Sequence, residues 1–110
     1  MGVSYGMAKS ATNKLTETMA YELKDKNISV VTIYPGLVRT ESVLKASEYF
    51  DLSNSESPEF IGMAIAALAS DMNILEKSGS KMTAAQIAID YGYTDIDGKQ
   101  PVPLNVNTCQ

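Results

Sequence analysis

Tyr5 and Lys9 stand four residues apart near the start of the chain, within Ser4-Tyr5-Gly6-Met7-Ala8-Lys9. On a helix that spacing puts a phenol and an ammonium on one face, a turn apart. A cation held beside a tyrosine favours the phenolate, which brings the phenol down from its reference pKa of about 10 and makes it usable as a general acid or base. The same pair arises by chance on many amphipathic helices, so the rest of the chain must decide between the two readings. The 110 residues contain no histidine, which removes Ser-His-Asp and Cys-His catalysis and most zinc sites. Cys109 is the only cysteine, so neither an internal disulfide nor a thiolate metal cluster is expected. Proton chemistry falls to Tyr, Lys, Asp or Glu, with no metal.

The elements that must hold this pair are readable in order. Over 5–24, Ala8, Ala11, Leu15, Met19 and Leu23 recur at helical spacing, with Lys14, Glu17 and Lys24 opposite. Tyr5 falls on the edge of that stripe and Lys9 one step further round, where both border a cleft. Asp25-Lys26-Asn27 ends the helix. Residues 28–34, Ile-Ser-Val-Val-Thr-Ile-Tyr, have the composition of a buried parallel strand, and it stops at Pro35-Gly36. A helix, a turn and such a strand form an αβ half-unit of a doubly wound sheet, whose ligands bind beyond the strands' C-terminal ends. Pro35-Gly36-Leu37-Val38-Arg39-Thr40 stands at that address, although a plain strand-ending turn reads the same way.

Residues 41–56 mix Ser, Glu, Lys and Leu with Tyr49 and Phe50, and a segment of this kind at the ligand end of a sheet is expected to be a mobile lid. Ser57-Pro58-Glu59 starts a helix, with a capping hydroxyl, whose inner face is Phe60, Ile61, Ala64, Ile65, Leu68 and Ala69 up to about Asp71. Residues 79–83 read as a short strand, and Thr83 caps a last helix over 84–91 that Gly92 terminates. Residues 94–99 read as a solvated turn without a calcium-loop pattern.

The net charge of -4, with an isoelectric point near 4.6 and no basic run, speaks against nucleic acid or an anionic membrane as partner. No apolar run approaches the roughly 20 residues of a membrane span, and residues 1–20 lack the order of a signal peptide. The expectation is a reducing, cytoplasmic setting, with association to an internal membrane left open.

The order of Tyr5-x-x-x-Lys9, helix, strand 28–34, Pro35-Gly36 and Thr40 resembles the C-terminal half of the short-chain dehydrogenase/reductase family. Asp71-x-Asn73-Ile74-Leu75, Ser78-Gly79 and Tyr91-Gly92-x-x-Asp95-x-Asp97-Gly98 resemble one member group within it. The resemblance implies an α/β fold: residues 1–110 as the C-terminal part of a Rossmann-like, NAD(P)-binding parallel sheet, two strands with three or four helices, and 41–56 as its substrate-loop region. It implies an NAD(P)-dependent carbonyl reductase or alcohol dehydrogenase acting on a small carbonyl or alcohol. Tyr5 would be the proton donor or acceptor; Lys9 would lower its pKa and bond the nicotinamide ribose. Pro35-Gly36 would be the turn beside the nicotinamide ring, Val38 the backbone contact to its carboxamide, and Thr40 a hydroxyl that helps hold the cofactor, NADP or NAD. It also implies a homo-oligomer through the helix carrying Tyr5.

The departures bear equally on function. None of the seven glycines forms the phosphate-binding turn of the family's first βα unit, and the family's serine and asparagine would lie before Tyr5. The expectation is therefore half of an enzyme, inactive alone. The alternatives are a non-catalytic interaction or dimerisation module and an extended-branch epimerase, which shares Tyr-x-x-x-Lys.

Overall fold

The computed structural model describes residues 2–104, so Cys109 lies outside the described residues. Helix α1 (Val3–Leu23) runs into a 3-10 turn, and Asn27 reverses the chain in the left-handed region at φ 60°. Strand β1 (Thr32–Tyr34) follows, then the short helix α2 (Glu41–Lys45) and helix α3 (Pro58–Ala69). Strand β2 (Lys81–Thr83) and helix α4 (Ala84–Tyr91) complete the order. The two strands are parallel, with Thr32, Ile33 and Tyr34 opposite Lys81, Met82 and Thr83. Parallel pairing requires a crossover, and α3 supplies it. Two parallel strands with four helices are the α/β half-sheet the sequence led us to expect.

The core lies where α3 meets α4. Phe60, Ala64 and Leu68 recur at a four-residue spacing on α3 and pack on Ala84, Ala85, Ile87 and Ala88. The alanines let the two helices approach closely, while Phe60 and Ile87 are completely buried and fill the space between them. The Phe60 ring meets that of Tyr93 at 5.9 Å and 60°, a tilted aromatic pair. Thr83 caps α4 by accepting from the Gln86 N–H, and Gly92 at φ 76° takes the left-handed position that ends it.

Five expectations need correction. Ile65, expected on the inner face of α3, is 57% exposed and Ala69 is exposed as well, so that face narrows to Phe60, Ile61, Ala64 and Leu68. The strand expected over 28–34 forms a ladder only over Thr32–Tyr34. Its first half is instead tied to a loop, with the Val30 N–H donating to Ser78 Oγ at 2.9 Å and Val30 C=O accepting from the Gly79 N–H at 2.7 Å. The apolar stripe of α1 faces outward: Leu15 is 58% exposed, and Ala8, Ala11 and Met19 are exposed as well. The inward face carries Asn13, Thr16 and Ala20, because Thr32 and Tyr34 project from one side of β1 and offer polar partners. Thr32 Oγ1 donates to Thr16 Oγ1 at 2.7 Å, and the Tyr34 hydroxyl donates to Asn13 Oδ1 at 2.6 Å. Ser57 precedes α3 as expected, but its hydroxyl makes no cap, because Asp95 takes it. The turn around Asp95 is not simply solvated, since Asp95 is buried at 3% exposure.

Candidate active site

The C-terminal end of β1 gathers the chemistry. Tyr5 lies in the first turn of α1, its N–H bonded to Gly2 C=O at 3.1 Å, and Lys9 follows one turn later on the same face. Both are half-buried. Lys9 Nζ sits 5.6 Å from the centroid of the Tyr5 ring and 5.9 Å from that of Tyr34. The ammonium is thus shared between two electron-rich faces at cation–π range. Tyr34, fixed by Asn13, joins this pair to the loop, because Pro35 and Gly36 follow it directly.

That loop is tightly specified. Val38 pairs with Glu56 in a single parallel bridge: the Glu56 N–H donates to Leu37 C=O and the Arg39 N–H to Glu56 C=O, both at 2.8 Å. In this pattern the backbone groups of Val38 itself point away from Glu56. Thr40 is exposed, and its hydroxyl accepts from the Val43 N–H to cap α2, which leaves the hydroxyl proton to donate elsewhere. Tyr5 and Lys9 are therefore brought together, Pro35 and Gly36 are linked to them through Tyr34, and Val38 and Thr40 lie further along the same loop. Of the expected substrate loop, Glu41–Lys45 forms α2 and Tyr49 is 79% exposed, while its last residues, Ser55 and Glu56, are buried.

Behind the loop lies a polar cluster that sequence reasoning missed. Glu56 Oε1 accepts from the Gly36 N–H at 3.0 Å. A Cβ at position 36 would meet Glu56 Oε2 at 2.7 Å, so the glycine lets the carboxylate sit against the turn, and any larger residue there would push the Glu56 side chain aside. Arg39 donates to Ser55 Oγ at 2.7 Å and reaches Asp97 at 3.4 Å and Asp95 at 3.7 Å. Asp95 accepts from the Ser57 N–H and the Ile96 N–H, each at 2.7 Å, and from the Ser57 hydroxyl. Burial pushes the Glu56 carboxyl above its ordinary range against the opposing Gly36 N–H, and the charge of Asp95 pushes it further. For Asp95, burial acts upward, but the Ser57 hydroxyl and N–H, the Ile96 N–H and Arg39 together hold the carboxyl low. The signals that could have found these residues are Gly36 itself and the Asp95-x-Asp97-Gly98 run. Their partners lie too far along the chain for local patterns to connect them.

Residues 2–94 match the family model described as enoyl-(acyl carrier protein) reductase, a branch of the short-chain dehydrogenases. The chain belongs to the short-chain dehydrogenase/reductase family. It is 39% identical over 110 residues to dehydrogenase/reductase SDR family member 1 of Mus musculus, and 35% identical over 111 residues to the Homo sapiens protein of that name. These are the member group that the tail motifs resemble. Each alignment covers 88% of this chain but 35% of the relative, so the chain spans about a third of their length, less than the half expected from the sequence. An uncharacterized oxidoreductase of Schizosaccharomyces pombe is 33% identical over 79 residues, covering 72% of this chain and 28% of the relative. Among the described residues no helix is long and apolar enough to cross a membrane, and no three acidic, histidine or cysteine residues group as a metal site would need.

Proposed function

We propose that this chain is the C-terminal part of an NAD(P)-dependent carbonyl reductase or alcohol dehydrogenase in which Tyr5 moves the proton. The observation that carries the reading is the Lys9 ammonium, 5.6 Å from the Tyr5 ring centroid and 5.9 Å from that of Tyr34, at the ligand end of a parallel strand. In the reducing direction the Tyr5 phenol gives its proton to the carbonyl oxygen as the carbonyl carbon gains hydride, yielding the alcohol; in the oxidising direction Tyr5 receives the proton. Lys9 places its amino group 5.6 Å from the centroid of the phenol ring, and the nicotinamide, when bound, supplies or accepts the hydride.

The residues present fit the nicotinamide half of such a cofactor, NADP or NAD. Val38 has its N–H turned away from the Glu56 bridge, with its C=O accepting from the Thr40 N–H at 2.8 Å, and Thr40 retains a hydroxyl proton to donate. Pro35 and Gly36 form the turn on which a planar ring would rest, and residues 41–54 would close over a small carbonyl or alcohol. The outward apolar residues of α1, with Val3 81% and Met7 67% exposed, suit a homo-oligomer through this helix. They equally suit the non-catalytic module reading, which would keep this interface and lack turnover.

The two readings part in the full-length protein. Lys9→Met is expected to lower carbonyl reduction and to weaken nicotinamide cofactor binding together, because one cation serves proton and cofactor. A Lys9→Met protein that reduces carbonyls and binds cofactor like the parent would defeat the proposal.

A further inference from the structure

Glu56 has no part in the chemistry above, yet it holds the loop at two places at once. Its side chain accepts from the Gly36 N–H at 3.0 Å, while its backbone brackets Val38 through the 2.8 Å bonds to Leu37 and Arg39. The carboxylate occupies the space that a side chain at position 36 would need, with Oε2 2.7 Å and Cδ 3.2 Å from a Cβ built there. Glu56 is itself fixed on both sides: Arg39 donates to Ser55, and Asp95 accepts from Ser57. It is only 3% exposed, which for a carboxylate carries a desolvation cost that a neutral loop residue would not.

We propose that Glu56 is a positioning residue for the nicotinamide-side turn, its carboxylate setting Gly36 and its backbone bridge aiming the Val38 N–H toward the cofactor, while the Val38 C=O is held within the loop by the Thr40 N–H at 2.8 Å. The inference rests on the assignment of residues 35–40 to cofactor binding. A carboxylate suits this role because it accepts a charge-assisted hydrogen bond and makes no demand for an acceptor in return. Arg39 and Asp95 make the arrangement rigid: the guanidinium bonds Ser55 and sits 3.7 Å from Asp95, so the loop and the 55–57 run are clamped as one unit. A turn held this way spares the cofactor the ordering of its own site.

The test uses the full-length protein with NADH and NADPH as probes, following cofactor affinity by fluorescence titration and folding by circular dichroism. Glu56→Asp keeps the charge and the backbone bridge but withdraws the carboxylate from Gly36, and is expected to weaken cofactor affinity about tenfold at nearly unchanged melting temperature. Glu56→Gln retains an oxygen for the Gly36 N–H and is expected to stay within about threefold of the parent. A purely structural role would move melting temperature in proportion to the change and leave affinity alone. Glu56→Asp with parental affinity overturns the proposal, provided that Lys9→Met in the same titration weakens binding. If neither Glu56→Asp nor Lys9→Met changes affinity, the assignment of cofactor binding to Lys9 and residues 35–40 falls, and the inference falls with it.

Discussion

Asp95 has a side chain with 0% exposure that accepts from the Ser57 N–H, the Ser57 hydroxyl and the Ile96 N–H, with Arg39 3.7 Å away. Asp95→Asn keeps the shape and turns one oxygen into an NH2 group facing a donor. At least one buried donor then loses its acceptor, and the attraction to Arg39 falls. A buried donor left unpaired costs about 1–3 kcal/mol, and a hydrogen bond to a charged group contributes about 1.5–3 kcal/mol, so the expected loss is about 3 kcal/mol. Against a total stability of roughly 5–15 kcal/mol for a domain, that is a large share. Because the folded carboxyl titrates below its unfolded value, the stability it contributes is present above the unfolded pKa of about 3.9 and is lost as pH falls through the folded one. Urea unfolding of the full-length parent and the Asn variant, at about pH 7 and about pH 3.5, should show a gap that narrows on acidification. A variant within about 0.5 kcal/mol of the parent at neutral pH would refute the reading of Asp95 as the tie between the tail and the loop.

In hydrogen exchange without ligand, residues 41–54 should exchange faster than Ile33 and slow when substrate is bound, while Ser55 and Glu56, buried beside Gly36, stay protected. Equal protection across 41–56 would count against a substrate loop. Residues 1–110 expressed alone should show no sharp monomeric thermal transition and no stabilisation by NADPH. Beside β1 lies an apolar hollow of about 310 Å³ lined by Val31, Ile33 and Ile65, and the outward face of α1 adds further apolar surface. A cooperative monomeric transition raised by NADPH, followed by circular dichroism and light scattering, would contradict this.

What the sequence made legible is what local chemistry decides. Thr83 and Gly92 bound α4 because a capping hydroxyl and a left-handed glycine act within one turn, and Pro58 opens α3 for the same reason. The inward face of α1 was not legible. Hydrophobic periodicity favoured Leu15, whereas Asn13 and Thr16 turn inward to meet Tyr34 and Thr32, partners 21 and 16 residues further on. Ser57 carried the pattern of a helix cap, but Asp95, 38 residues away, is the stronger partner for its hydroxyl and N–H. Tyr5, Lys9 and the Pro35-Gly36 turn could be singled out from residue type and order. Glu56 could not, because a glutamate among serines reads as solvated loop until Gly36 is seen against it.

The proton role of Tyr5 is tested most directly by single-turnover hydride transfer in the full-length protein, followed through nicotinamide absorbance, with cofactor affinity measured alongside. Tyr5→Phe deletes the transferable proton and keeps the ring beside Lys9. The account predicts a rate at least about a hundredfold lower at near-parental cofactor affinity, in keeping with the usual contribution of general acid–base catalysis. Hydride transfer in Tyr5→Phe at the parental rate would contradict it.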